Sequence, residues 1–194
     1  MRKSAVLALM FVLFIAGFHI LIVESRAADT PPAEGAVLPD IKLPAIEKSE
    51  DIQYLGIKGD APFKIPQVQA EVVIVEIFSM YCPYCQREAP LLNELYRLIA
   101  ARPDLKDKIK ILGIGAGNHP YEVNLFRTKY QVLFPIFPDG DYSLHTALGQ
   151  VRTPYFIGIR INPDGSHKVI YSKVGSIGNA QDFIELLLKR SKPA

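Results

Sequence analysis

The sequence predicts an α/β domain built as a three-layer sandwich, a mixed sheet with helices on both faces. Three observations predict it. Val72–Phe78 and Ile109–Ile114 are nearly continuous apolar, β-branched runs, the pattern of strands buried on both sides. Each is followed by apolar residues at helical spacing, and β-α-β-α order implies parallel strands joined by crossovers. The last third switches to two strands around the strong turn Asn162-Pro163-Asp164-Gly165-Ser166, which adds an antiparallel pair at one side.

The 194 residues, 49% apolar and 22% charged, suffice for one domain with a sizeable core and exclude a disordered tail. Of 22 basic and 20 acidic residues, Arg2, Lys3, Arg26 and Glu24 fall in the first 27; three from 22 and one from 20 leaves 19 of each sign in the rest. A balanced body has no electrostatic footprint for nucleic acid. Arg2-Lys3, an apolar run from Ala5 to Val23 broken only by His19, and the small residues around Ala27 read as a secretory signal over residues 1–27. The run is also near spanning length, so an uncleaved N-terminal membrane anchor is the alternative. Both readings put the body outside the cytoplasm, in the periplasm or an equivalent space. Residues 28–36, small, polar and proline-rich, are expected as a flexible spacer, and residues 37–194 as the domain.

Between Val37 and Val68, short apolar pieces are divided by prolines and glycines, and Ile52-Gln53-Tyr54-Leu55 is expected as a short strand. After the Val72–Phe78 strand comes a helix over Pro83–Ala101, with Leu92, Leu95, Tyr96 and Ile99 inward and Arg102-Pro103 as its stop. The Ile109–Ile114 strand runs into Gly113, Gly115 and Gly117. Asn118 or His119 caps the next helix, with Pro120 in its first turn and Val123, Phe126 and Tyr130 inward. Phe134–Phe137 leads to a turn at Pro138-Asp139-Gly140 and a short helix near Tyr142–Leu148. The strands Tyr155–Ile161 and His167–Val174 and a helix over Ala180–Arg190 complete the chain.

The chemistry-bearing motif is Cys82-Pro83-Tyr84-Cys85, at the junction of the first buried strand and its helix. Cys82 falls at the N-cap and Pro83 at the first helical position, where a missing N–H costs nothing. The free N–H groups and partial positive charge there favour a thiolate on Cys82. Cys85, one turn further in, is close enough to resolve a mixed disulfide, a two-electron exchange that needs no cofactor. A second cysteine pair is missing and His19, His119, His145 and His167 lack ligand spacing, which argues against a metal site. A purely structural disulfide would close too small a loop to constrain the unfolded chain. The glycines at 113, 115 and 117 have neither dinucleotide spacing nor a Gly-Lys-Ser/Thr ending, which weighs against a phosphate loop.

With these features in place, the body from about residue 37 to 190 resembles the thioredoxin superfamily, and within it the TlpA/ResA-like extracytoplasmic thiol–disulfide oxidoreductases. The residues that carry the resemblance are Glu76-Ile-Phe-Ser-Met-Tyr-Cys82-Pro-Tyr-Cys85-Gln-Arg-Glu88-Ala-Pro90 and Thr153-Pro154 before a strand, with Phe134-Pro135 to Asp139 similar to the segment entering that family's third helix. The resemblance implies that Cys82 attacks and Cys85 resolves. Glu76 would be a buried proton acceptor with a raised pKa, and Glu88 an acid that tunes the pair. It implies that Thr153-Pro154 is a cis-proline loop that docks an extended substrate, beside Tyr81, Pro83 and Tyr84. Clients would be protein disulfides, for instance those of apocytochromes, with a membrane thiol electron donor restoring the reduced form. Tyr81 departs from the family's tryptophan, and the Pro-Tyr dipeptide is similar to that of glutaredoxins.

The alternatives are structural. Glu76 could pair with a lysine such as Lys110, Glu88 could be an exposed acid favoured by the helix dipole, and Pro154 an ordinary trans proline. A peroxiredoxin-like peroxide reductase is the enzymatic rival, since Ser79 stands where that family has threonine, although Val75 replaces its proline. A non-catalytic binding module of the same fold is the rival from another class.

Overall fold

The computed structural model describes residues 30–58 and 61–192, so the leader at 1–27 and the first residues of the spacer lie outside the described residues. The elements are α1 (Ser49–Leu55), a 3-10 turn (Ile65–Gln67), β1 (Val72–Phe78), α2 (Pro83–Ala100), β2 (Ile109–Ala116), α3 (Pro120–Tyr130), β3 (Ile136–Asp139), α4 (Ser143–Ala147), β4 (Tyr155–Ile161), β5 (His167–Val174) and α5 (Ala180–Ser191). The sheet order is β3-β2-β1-β4-β5. β1, β2 and β3 are parallel, while β4 runs antiparallel to β1 and β5 antiparallel to β4. This is the mixed sheet the sequence predicts.

Alternation along β1 divides the core. Val73, Val75 and Ile77 face a cluster made with Leu38–Val68 and the residues around α4. Val72, Ile74 and Phe78 face a second cluster made with α2, α3 and α5. Successive strand residues point to opposite faces, so Glu76 falls on the side of α2. Every residue of β1 and β2 is buried, as expected of central strands between helical layers.

Two local expectations are corrected. Residues 52–55 belong to α1, not to a strand. Asp51 and Leu55, one helical turn apart, are its buried residues, and Gly56 closes it in the left-handed region at φ 63°. Pro138 and Asp139 lie within β3 and the turn begins at Gly140. The end of the presumed spacer is also tied down over its described residues: Gly35 N–H donates to Val169 O at 2.8 Å, Val169 N–H donates to Ala36 O at 2.9 Å, and Glu34 pairs with Arg190. β2 runs on through Ala116, and two of the three glycines at 113, 115 and 117 have steric duties. A side chain on Gly113 would meet Ile136, and Gly117 sits at φ 65° against the Tyr142 ring. Among the described residues no helix is long and apolar enough to cross a membrane.

Candidate active site

The site forms where β1 ends and α2 begins. Cys82 is the N-cap of α2, in extended backbone at φ −81° and ψ 115°, and Pro83 occupies the first helical position. The Cys82 N–H donates to Ser79 O at 3.0 Å, and the Cys82 carbonyl accepts the Gln86 amide at 3.1 Å. Cys82 is half-buried, Cys85 is fully buried, and both thiols are free. The Thr153–Pro154 peptide is cis, and the Cys82 thiol donates to the Thr153 carbonyl at 3.3 Å. Residues 71 positions apart thus meet at the reactive sulfur.

The two thiols are driven in opposite directions. Partial burial pushes the Cys82 pKa up, but hydrogen bonding to the sulfur by the Thr153 side chain, the Cys85 amide and thiol and the Tyr84 amide outweighs it, leaving Cys82 below the ordinary thiol value. Burial, and then the charge of Glu76, push Cys85 far above it. Glu76 is 2% exposed and its Oε1 has no hydrogen-bond partner. Burial first, and then the charges of Glu88 and Cys82, raise its pKa well above the carboxylate range.

The Glu76–Lys110 pairing is not made. In the parallel register Lys110 lies opposite Val73 and Gly113 opposite Glu76, so the lysine belongs to the other face of the sheet. Its ammonium donates to Lys106 O at 2.7 Å and lies over the Tyr54 ring. Glu88 is not an exposed helix-end acid either. It is 3% exposed, and its Oε1 accepts the Ile177 N–H at 2.7 Å, which ties α2 to the loop before α5. Pro90 lies inside α2, which continues through it.

Tyr81, Pro83 and Tyr84 are exposed around the cysteines. The Tyr81 hydroxyl donates to one oxygen of Glu122, whose other oxygen accepts the His119 N–H at 2.7 Å, so the ring is moored to the start of α3. Cys82, Cys85, Glu76, Thr153 and Pro154 thus converge, Glu88 lies behind them, and the two tyrosines stand at the surface.

Two polar residues escaped the reading of the sequence. Asn118, considered there only as a helix cap, is fully buried, and its Oδ1 accepts the Met80 N–H at 2.8 Å. Gln86 Nε2 donates to Met80 O at 2.8 Å, so both polar groups of that peptide position are held and the loop before Cys82 is pinned. The signal was slight: an asparagine directly before His119-Pro120, which starts a helix without its help.

A two-cysteine helix start over a buried acid, facing a cis-proline loop at the start of β4 in a β3-β2-β1-β4-β5 sheet, defines a thioredoxin-fold redox protein. The AhpC/TSA family model matches residues 35–169, and the chain belongs to that family. The thiol-disulfide oxidoreductase ResA of Geobacillus thermodenitrificans is 25% identical over 120 residues, 62% of this chain and 59% of that protein. The protein disulfide-isomerase EUG1 of Saccharomyces cerevisiae is 23% identical over 145 residues, 73% of this chain and 28% of that protein. The match thus spans less than two thirds of either relative. A Chlorobium tepidum structure assigned provisionally as the thiol:disulfide interchange protein DsbE superposes with a TM-score of 0.61 at 15% identity, covering 83% of this chain and 99% of that one, which establishes the fold. By family the chain is an AhpC/TSA member, by fold it is thioredoxin-like, and the relatives it resembles include thiol-disulfide oxidoreductases.

Proposed function

We propose that this chain exchanges thiols with protein disulfides outside the cytoplasm and works in the reducing direction. The observation that carries the reading is the asymmetry of the two thiols: an accessible one at a helix start with its pKa lowered, and a buried one with its pKa raised above an unpaired carboxyl group. The Cys82 thiolate attacks one sulfur of the client disulfide. That S–S bond breaks, a mixed disulfide forms, and the client's other sulfur leaves as a thiolate. Glu76 in its ionised form takes the Cys85 proton, its basicity raised by burial. The Cys85 thiolate then attacks Cys82 Sγ, the client leaves fully reduced, and the two electrons it gained leave a Cys82–Cys85 disulfide here. Glu88 acts through Glu76, whose proton affinity its charge increases.

The N-cap places Pro83 without an N–H beside the sulfur, so only later amides stabilise the thiolate, which argues against a strong oxidant. A potential between about −200 and −280 mV is expected, the bracket of glutaredoxins and thioredoxin. A chain with that potential in an oxidising compartment needs a membrane thiol donor to reduce it again. Clients among secreted cysteine proteins, apocytochromes included, fit the extracytoplasmic placement that the leader suggests. Against the peroxidase reading stands Val75, in the centre of β1 between Leu112 and Ile157, where the peroxiredoxin pattern has its proline.

Alkylation of the reduced chain at neutral pH tests the roles: Cys82 is labelled well before Cys85, and equal labelling overturns the assignment. Equilibration in glutathione buffers tests the direction, and a value near −120 mV, as for DsbA, would make the protein an oxidase. Hydrogen peroxide should be consumed no faster than by the Cys82→Ser variant.

A further inference from the structure

Beside the reactive sulfur lies a groove of about 520 Å³ lined by Thr153 and Pro154, by Tyr84 and Arg87 of α2, and by Arg152. Thr153 is the residue that Cys82 touches, so a chain whose disulfide reaches the sulfur must run along this groove. The charge exposed there is positive in a body whose charges balance overall. Arg87 and Arg152 are exposed, and neither takes part in an ion pair among the described residues. The Arg87 guanidinium is held 4.5 Å from the centre of the Tyr84 ring, so one donor fork stands ready at the rim. The one acid lining the groove, Glu88, is buried with an oxygen committed to the Ile177 amide, and leaves the arginines uncompensated.

Resting on the thiol-exchange reading, we infer that the groove selects clients by charge: it takes an extended peptide segment with an acidic residue close to the disulfide cysteine, whose carboxylate is received by Arg152 and Arg87. A planar guanidinium receives a carboxylate through paired N–H donors, which an ammonium cannot match in geometry. Rim charges act chiefly on encounter and register, so the preference belongs to the rate of attack and is sensitive to salt.

The test uses the reduced full chain and three disulfide peptides, identical except for Glu, Gln or Lys on either side of the cysteine, with rates of reduction followed by stopped flow. At low ionic strength the Glu peptide should react about tenfold faster than the Lys peptide, as rim charge pairs and steering allow. The difference should shrink to less than about twofold near 0.5 M salt. The double variant Arg87→Glu/Arg152→Glu should reverse the order. Equal rates for the Glu and Lys peptides on the unaltered chain, or a preference that survives both salt and charge reversal, overturn the inference while leaving the exchange reading standing. Failure to reduce even the Gln peptide overturns both.

Discussion

At the contact of α1 with α3, Asp51 is 7% exposed and accepts both Nη1 and Nη2 of Arg127, at 2.8 and 2.9 Å. At the contact of β1 with α2, Glu76 is 2% exposed and its Oε1 accepts nothing. The first acid joins two elements whose sequence separation is 76, and its charge is answered where it lies. The second is kept under the cysteines with the charge unanswered and a second acid, Glu88, near enough to raise its pKa further. A buried carboxylate that only held the fold would be paired, because leaving it bare costs several kcal/mol. The difference separates an acid that holds structure from one held in reserve to carry a proton.

The sharpest way to break the comparison is to remove the Asp51 partner. Arg127→Met should cost about 3 kcal/mol of stability, the low end for stripping one member of a buried pair since Arg127 is itself half-buried. Urea unfolding reads this, and the rate of thiol exchange in the folded variant should stay unchanged. A stable variant would mean that the pair is ornamental and that burial does not distinguish the two acids.

Glu76→Gln should do the converse. Resolution of a trapped mixed disulfide should slow by about 100-fold, the loss typical of a positioned proton acceptor, and its rise with pH should disappear. Quenched-flow release of a client thiol measures both. Undiminished release would put Glu76 in the same class as Asp51.

Asn118→Ala leaves the Met80 N–H without its acceptor and should cost about 1–2 kcal/mol. It should also shift the pH profile of Cys82 alkylation upward, because the loop that presents the sulfur to the Cys85 and Tyr84 amides loses an anchor. A fall in stability with an unmoved profile would make Asn118 a prop of the fold alone.

The smallest effect is on the pH dependence of melting. The folded pKa of Glu76 lies above its unfolded value, so the native state binds the extra proton, and stability falls as pH rises out of the ordinary carboxylate range. The Glu76→Gln variant lacks this loss and should gain on the unaltered chain as pH rises above the ordinary carboxylate range. A gain of about 1 kcal/mol would appear as about 2–4 °C in Tm for a chain of this size. Parallel melting curves at every pH would show that Glu76 titrates as it does in the unfolded chain.

The succession of elements along the chain, the mixed sheet and the place of the cysteines at a strand-to-helix junction were legible in the residues, because they rest on local periodicity, turn chemistry and N-terminal capping, which act over a few neighbours. The strand bounds at Val72–Phe78, Tyr155–Ile161 and His167–Val174 are those the apolar run and the Asn162–Ser166 turn imply. Residues 52–55 were misread because a short helix has too few turns to declare its period, and α1 is held by Arg127 and by packing of Tyr54 against Tyr96, partners that local patterning does not reveal.

What the sequence determined by itself was the reagent: two cysteines three apart at a helix start, with an acid six residues before the first. Tertiary structure decided how that reagent is set. The parallel register carried Lys110 to the opposite face from Glu76 and left the acid bare. The return of the chain through β4 brought the Thr153 carbonyl to 3.3 Å from Cys82. A crossover placed Asn118 under Met80, and the loop before α5 took Glu88 out of solvent. These outcomes depend on contacts between residues 38 to 89 positions apart, and so on which face of the sheet each segment covers. Composition and spacing act through near neighbours and carry no record of that choice; burial enforces it, since a carboxyl group taken into the core is either answered by a distant partner or changes its affinity for a proton.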